Sequence, residues 1–459
     1  MSSRKVSVPT EPRARSIWFV FNIEDAASTG RVGEERVPED KPTTKDPAPK
    51  AAGISAEPQS GKDARIDGLL FVVAVYLSSR IFYLVAGSLL AGYLPAGGFY
   101  WLTPDVPLGR LNIWAHWDGA WYSQIAAQGY TTHASTAFFP LYPLLMRSFA
   151  ELFGGPLSLG ALSLWGVLIS LMALPFALYF IYEIALDGWG ERTARVSVLC
   201  LSFFPTTFFL NCAYTESLFL ALSGASLWAM RVRKDMLLAC ALAGFAAATR
   251  NVGLFLVVPL ALEWLRGGAG REYVWWRAAA CLALAPSGLL WYAVYLWLRS
   301  GNLFLFYSAQ SYWSRRPTDP LTFATGVFTE AYEGLRGLFR PQPLANTALE
   351  DIMGRLNGTT DTYDLLFLVF AVALVVLGLR VLPFSLSAYA FLLVVPAMFF
   401  GKPETPLMGF PRYVLVAFPL FIVLAVLMKE RRILAFWLVL STVLSLVFCA
   451  EFVSWRFVA

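Results

Sequence analysis

The chain has 459 residues, 57% hydrophobic, 15% aromatic and only 15% charged, with a net charge of +5. A soluble domain carries about 25% charged residues. Here 21 of the 67 charged side chains precede residue 66, leaving 46 for the remaining 394 residues, too few to wet a globular surface. A cytosolic globular enzyme is excluded, and the bulk of the chain belongs in lipid.

Residues 1–65 are rich in Pro, Lys, Glu, Thr and Ala and cannot bury enough surface to offset their ordering entropy, so they predict a disordered cytoplasmic tail. The patch Ile17–Phe21 is too brief for a signal-peptide core and is followed by Glu24 and Asp25, so the first long apolar run is expected to be the first anchor. A membrane crossing needs roughly 20 apolar residues. The candidate runs are 67–92, 158–185, 194–211, 214–231, 235–250, 251–266, 274–298, 364–380, 382–400, 412–428 and 433–453, with 137–153 as a further short or re-entrant segment. The prediction is an all-α polytopic membrane protein with about 11 transmembrane helices (range 9–13). The membrane domain spans 66–459, with outer loops at 93–157 and 299–363.

With the first residues cytoplasmic, alternation puts twelve basic residues in the short inner turns: Arg192, Arg195, Arg231, Arg233, Lys234, Arg266, Arg271, Arg277, Arg380, Lys429, Arg431 and Arg432. The same alternation sends 114–130, 211–217, 249–251, 299–363 and 409–413 to the outer face, and these are where polar residues interrupt apolar sequence. Polar groups at membrane depth usually face a cavity or the bundle interior, so their convergence on one side predicts a site there.

Arg80 lies near the middle of the first run and is expected either to pair with an acid such as Glu183 or to meet a phosphate. In the segment Trp114–Tyr130, Trp114, Trp117, Trp121 and Ile125 recur at helical spacing, which predicts an interfacial helix ended by Gly129. Asp118 stands at the edge of that aromatic stripe, beside Trp121 and Tyr122; partial removal from water suits a general base, while a helix-start or solvated carboxylate is the plainer alternative. In Ala137–Leu145, Pro140 and Pro143 mark a bend at the membrane surface.

Glu216, in Tyr214-Thr215-Glu216-Ser217, sits at a helix start and suits either capping or substrate. Arg250 with Asn251, and Arg412, could grip a lipid-linked phosphate or snorkel to headgroups. Gln310, Trp313, Arg315 and Arg316 combine stacking and hydrogen-bonding groups suited to sugar and phosphate, or form a solvated basic stretch. Asn357-Gly358-Thr359 is a formal glycosylation triplet. The five cysteines (200, 212, 240, 281, 449) lack metal spacing, and no H-E-x-x-H, Walker A or GxSxG motif occurs. No basic patch points to nucleic acid.

Taken together, His116-Trp117-Asp118-Gly119 with Tyr122 and Ile125, Ala137-Phe138-Phe139-Pro140-Leu141-Tyr142-Pro143, Tyr214-Thr215-Glu216-Ser217-Leu218-Phe219, Thr249-Arg250-Asn251 with Gly253, and Arg412-Tyr413 followed by Phe418-Pro419-Leu420-Phe421 resemble the PIG-V family. That family comprises GPI mannosyltransferase II and its prokaryotic relatives, and the resemblance covers roughly residues 68–430 in motif order. It implies a GT-C glycosyltransferase fold, a polyprenyl-phosphate mannose donor, and an acceptor site on the non-cytoplasmic side. Asp118 matches the family's acidic residue of the first loop and would be the inverting general base. The residues and the resemblance together give as expected substrate-binding residues His116, Trp117, Tyr122, Glu216, Arg250, Asn251, Gln310, Trp313, Arg315, Arg412 and Tyr413. Asp118 is followed by Gly119 rather than a second acid, so a two-carboxylate metal site is not supported and no cofactor is expected. The acidic-basic tail and compact loops depart from the eukaryotic members and suggest a bacterial plasma-membrane relative, or the endoplasmic reticulum membrane if the source is eukaryotic. The acceptor would then be some other glycolipid, a glycan or a protein, a lipid-linked or glycan acceptor being the one expected. The alternatives are a GT-C transferase of another sugar such as arabinose, or a multi-span transporter or flippase, although no inverted repeat is apparent.

Overall fold

Hydrocarbon offers no water to satisfy backbone N–H and C=O groups, so apolar runs must close into helices. The computed structural model describes residues 61–94, 109–267, 274–337, 339 and 360–458, and its elements are almost all helical. Of the tail expected over 1–65, residues 1–60 lie outside the described residues and 61–65 belong to the first helix; the triplet at 357–359 also lies outside them.

In chain order the helices are α1 (Gly61–Tyr93), α2 (Asp118–Gln128), α3 (Leu141–Leu152), α4 (Leu159–Trp189), α5 (Glu191–Ser202), α6 (Glu216–Trp228), α7 (Met236–Thr249), α8 (Val257–Leu265) and α9 (Trp275–Leu282). They continue as α10 (Ser287–Ser300), α11 (Leu305–Ser308), α12 (Pro320–Gly337), α13 (Thr360–Val381), α14 (Phe384–Met398), α15 (Phe410–Val416), α16 (Pro419–Leu427) and α17 (Arg431–Val453). The all-α polytopic expectation is borne out. Among the described residues α1, α4, α13 and α17 are long and apolar enough to cross a membrane. Their outward faces carry exposed Leu70 and Ile81, Phe176, Leu366 and Val369, and Phe436 and Val439, a surface suited to lipid rather than water.

Several runs that look continuous in sequence are broken in space. Residues 274–298 become α9 and α10, bent by 55° ahead of Pro286 and Ser287. Residues 412–428 fall within α15 and α16, bent by 80° where Pro419 opens the second helix. Proline has no N–H to continue a ladder, so each break is local chemistry. The run 194–211 is α5 followed, after Pro205, by a 3-10 turn over Thr207–Asn211.

α4 is the central post. It packs against α1, α2, α3, α5 and α6, and buries Leu174, Leu178, Ile181 and Tyr182 among them. Ser158 caps its start by accepting from Ala161 N–H, and Gly190 at φ 82° turns the chain into α5. On the other side α7 and α10 meet at glycines. A Cβ on Gly288 would lie 2.1 Å from the Gly244 carbonyl oxygen, so this crossing tolerates no side chain.

Arg80 is 3% exposed, and neither expected partner holds it. Its guanidinium donates to the Ser202 carbonyl (3.0 Å), the Thr207 carbonyl (3.1 Å) and hydroxyl (3.2 Å), Asn211 Oδ1 (2.9 Å) and Ser79 Oγ (3.3 Å). The break after α5 leaves carbonyls without intrahelical donors, and the planar five-donor fork supplies them. Arg80 is therefore a structural pin at the α5 break, not a phosphate contact.

Candidate functional site

Four separate helix ends bring their polar residues to one place. α2 begins at Asp118, α6 begins at Glu216, Arg250 follows the last residue of α7, and Arg412 lies in the first turn of α15. Arg412 joins the two acids: its Nη1 donates to Asp118 Oδ2 at 2.7 Å, while Nε and Nη2 donate to Glu216 Oε1 at 2.9 and 2.7 Å. Arg250 Nη1 donates to the same Glu216 oxygen at 2.9 Å and to Thr215 Oγ1 at 3.0 Å. The Arg412 guanidinium also lies over the Tyr214 ring, 4.5 Å from its centroid.

The two carboxylates have different situations. Glu216 is fully buried, and its Oε1 is shared by two arginines. It cannot touch a substrate directly, so its role here is to fix two guanidinium groups rather than to bind sugar. Thr215 at the start of α6 makes no side-chain cap, and Glu216 turns to the arginines instead of to its own helix. Asp118 keeps 33% of its side chain accessible and only Oδ2 is taken by Arg412. It is the carboxylate of this cluster that an incoming hydroxyl can reach.

A second layer closes over the cluster. Arg316–Pro317 pairs antiparallel with Phe400–Gly401, in register Arg316 with Gly401, and this carries the preceding residues toward α15. Arg315 Nη1 then donates to the Tyr413 hydroxyl at 2.9 Å, and Arg250 lies 6.0 Å from the Tyr413 ring centroid. Trp313 meets Trp121 edge-on at 5.4 Å, and Trp121 stacks on Phe138 at 5.7 Å. Trp121 and Phe138 were not among the expected binding residues. The spacing could have found Trp121, which follows Asp118 by three positions and shares its helix face.

Other expected residues fall elsewhere. His116 is 2% exposed, with its ring stacked on Trp455 at 3.6 Å and Nδ1 at 3.2 Å from the Phe452 carbonyl. Burial lowers its pKa to about 4, and it serves packing rather than substrate. Trp117 packs against Trp455 and Phe457. Tyr122 is buried against Phe138 and Tyr142, so it backs the cluster from behind; burial raises its phenol pKa. Asn251 is exposed and its Oδ1 accepts from Val252 N–H, a local turn. Gln310 opens the turn that carries Trp313, its carbonyl accepting from Arg315 N–H at 3.1 Å. Tyr142, in the Phe-Phe-Pro segment, bonds the Gly166 carbonyl and Ser170, which in turn donates to the Tyr214 carbonyl. That segment therefore props up the Tyr214–Glu216 turn.

Helix α2 ends at Gly129 as expected, with φ 73°. It starts only at Asp118, so Trp114 and Trp117 precede it, and the aromatic spacing is not one continuous helical face. Among the described residues no three His, Cys, Asp or Glu side chains gather as a metal-ligand set; both acids face Arg412.

Residues 108–264 match the Mannosyltransferase (PIG-V) family. The resemblance read from the motifs is borne out by that match, which includes Asp118, Glu216 and Arg250. Two relatives agree with it. GPI mannosyltransferase 2 of Drosophila pseudoobscura pseudoobscura is 33% identical over 176 residues, covering 36% of this chain and 38% of that protein. Human GPI alpha-1,6-mannosyltransferase 2 is 32% identical over 158 residues, 32% of this chain and 31% of that protein. The chain thus spans about a third of the length of the curated relatives it matches. Among solved structures, ArnT from Cupriavidus metallidurans bound to undecaprenyl phosphate is 13% identical with a TM-score of 0.36, over 76% of this chain and 77% of that one. The Archaeoglobus fulgidus oligosaccharyltransferase is 13% identical with a TM-score of 0.39, over 84% and 55%.

Proposed function

We propose that this protein is an integral-membrane mannosyltransferase of the GT-C type. It moves mannose from a polyprenyl-phosphate mannose donor to a lipid-linked or glycan acceptor on the non-cytoplasmic face. The observation that carries the reading is the cluster of Asp118 with Arg412, Glu216 and Arg250, built on residues that the PIG-V resemblance singles out.

Arg250, Arg315 and Arg412 outnumber Asp118 and Glu216 by one charge, which suits an anionic lipid phosphate. α6 runs from Glu216 toward Arg231 and Arg233, and α7 returns to Arg250. The cluster therefore sits at the helix ends opposite the basic turns, in keeping with an outward-facing site.

In this mechanism Asp118 Oδ1 accepts the proton of the acceptor hydroxyl as its oxygen attacks the anomeric carbon. The bond from that carbon to the phosphate oxygen breaks with inversion, and the lipid phosphate leaves with the electron pair. Arg412 turns from Asp118 to the developing phosphate charge, which frees the carboxylate when it is needed. Donors aimed at a leaving group in a site shielded from water are worth more than in bulk solvent.

The test is transfer from radiolabelled polyprenyl-phosphate mannose in membranes holding wild type or Asp118→Asn at equal folded amounts. Transfer that disappears in the variant supports donor and base. Full activity in the variant removes Asp118 from the mechanism, and no transfer by wild type moves the assay to other lipid-phosphate sugars.

A further inference from the structure

Two tryptophans stand where the backbone favours glycine, and they touch. Trp117 has φ 52° and ψ −112°, the first central position of a type II′ turn, closed by Gly119 N–H on the His116 carbonyl at 3.0 Å. Trp455 has φ 61° just beyond α17. There Arg456 N–H donates to the Glu451 carbonyl at 2.9 Å and Trp455 N–H to the Phe452 carbonyl at 3.2 Å. That pair of bonds is a Schellman ending, whose left-handed residue is usually glycine.

Non-glycine residues in such regions are strained and persist only where their surroundings over-determine them. Here each is held by the other's neighbourhood. The Trp455 indole stacks on His116 with centroids 3.6 Å apart and lies 6.0 Å from Trp117. Phe457 closes on Trp117 edge-on at 5.6 Å, and His116 Nδ1 meets the Phe452 carbonyl at 3.2 Å. The residue delivered by this turn, as the first of α2, is Asp118.

We propose that the segment 452–457 is a clamp that sets the position of Asp118, with Trp455 as its positioning residue; the catalytic half of this rests on reading Asp118 as the base. Trp455 reaches the turn through its ring contacts with His116 and Trp117. It acts by holding His116 and Trp117 so that the strained turn cannot relax. Once released, the turn would move toward an ordinary backbone geometry, and the first turn of α2 would carry the carboxylate away from Arg412.

The experiment uses the full chain in detergent micelles, as wild type, Trp455→Ala and Trp455→Phe. Hydrogen exchange followed by mass spectrometry reads peptides spanning 114–122 and, as a reference, 216–228; initial rates with polyprenyl-phosphate mannose give kcat and KM. Trp455→Ala is expected to raise exchange over 114–122 at least about fivefold while the reference peptide stays unchanged, because a local opening becomes cheaper. Its kcat should fall roughly 10- to 100-fold with KM within about threefold, as expected for a misplaced base. Trp455→Phe, which keeps a ring on His116, should restore most of both. Unchanged exchange over 114–122 in Trp455→Ala overturns the clamp, and so does full transfer with raised exchange. Should wild type transfer no mannose, the exchange result still decides whether the clamp exists, because it needs no substrate. Should Trp455→Ala fail to fold, Phe457→Ala is read in the same way.

Discussion

Arg412 Nη1 donates to Asp118 Oδ2 across 2.7 Å of space and 294 residues of chain. The same guanidinium uses its other edge on Glu216, so one planar group holds an accessible acid and a buried one in a fixed relation. Only a fork of donors can do this. Arg412→Lys keeps the charge but cannot engage both acids with parallel bonds. Initial rates of mannose transfer should fall roughly 10²-fold, the usual consequence of losing an aligned donor, while the protein still accumulates in membranes. A rate within twofold of wild type would show that the two-sided grip is dispensable.

Glu216 carries the opposite burden. With its carboxylate fully buried between Arg250 and Arg412, Glu216→Gln leaves Arg250 without its carboxylate partner and Arg412 with Asp118 alone. Breaking a buried ion pair from one side costs about 3–5 kcal/mol. Unfolding in detergent should shift by that amount, and the loss should exceed that of Asp118→Asn, whose side chain is partly in water. Equal or smaller destabilisation would mean that Glu216 is not the anchor.

His116 makes stability sensitive to acid. Its folded pKa, about 4, lies below the unfolded value of 6.5 because burial penalises the imidazolium. Above pH 6.5 neither state is protonated and the contribution is constant. As pH falls from 6.5 toward 4 the unfolded chain takes up the proton first, so stability declines, and below about 4 the effect levels off. The gap between the two values is worth about 3 kcal/mol. Thermal unfolding from pH 7 to pH 4 should therefore be less pH-dependent in His116→Phe than in wild type; parallel curves would rule this out.

Arg80 should matter for folding and not for turnover. Arg80→Ala strips donors from Asn211 and from the carbonyls of Ser202 and Thr207, each buried acceptor costing about 1–3 kcal/mol when left unpaired. A lower unfolding midpoint with kcat per folded molecule within about twofold of wild type, small beside the loss from a misplaced catalytic group, is the expected result. A hundredfold loss in kcat without destabilisation would return Arg80 to the substrate.

The helical class could be read from composition, because lipid leaves the backbone no alternative to closing its own hydrogen bonds. The charged pieces of the candidate site were legible too: polar residues interrupting apolar runs at 118, 216, 250 and 412 are costly unless they meet. Spacing alone misassigned their neighbours. His116 sits two residues from Asp118, yet the left-handed backbone at Trp117 turns the two side chains to different surroundings, one to Trp455 and one to Arg412. Nor could a local pattern show that Glu216 would be sealed while Asp118 stayed open, or that Arg80 would feed carbonyls freed by a break more than 120 residues away. Propensity and hydropathy act over a few residues, whereas burial, charge pairing and the choice of partner depend on which helix ends meet, and tertiary packing alone decided that.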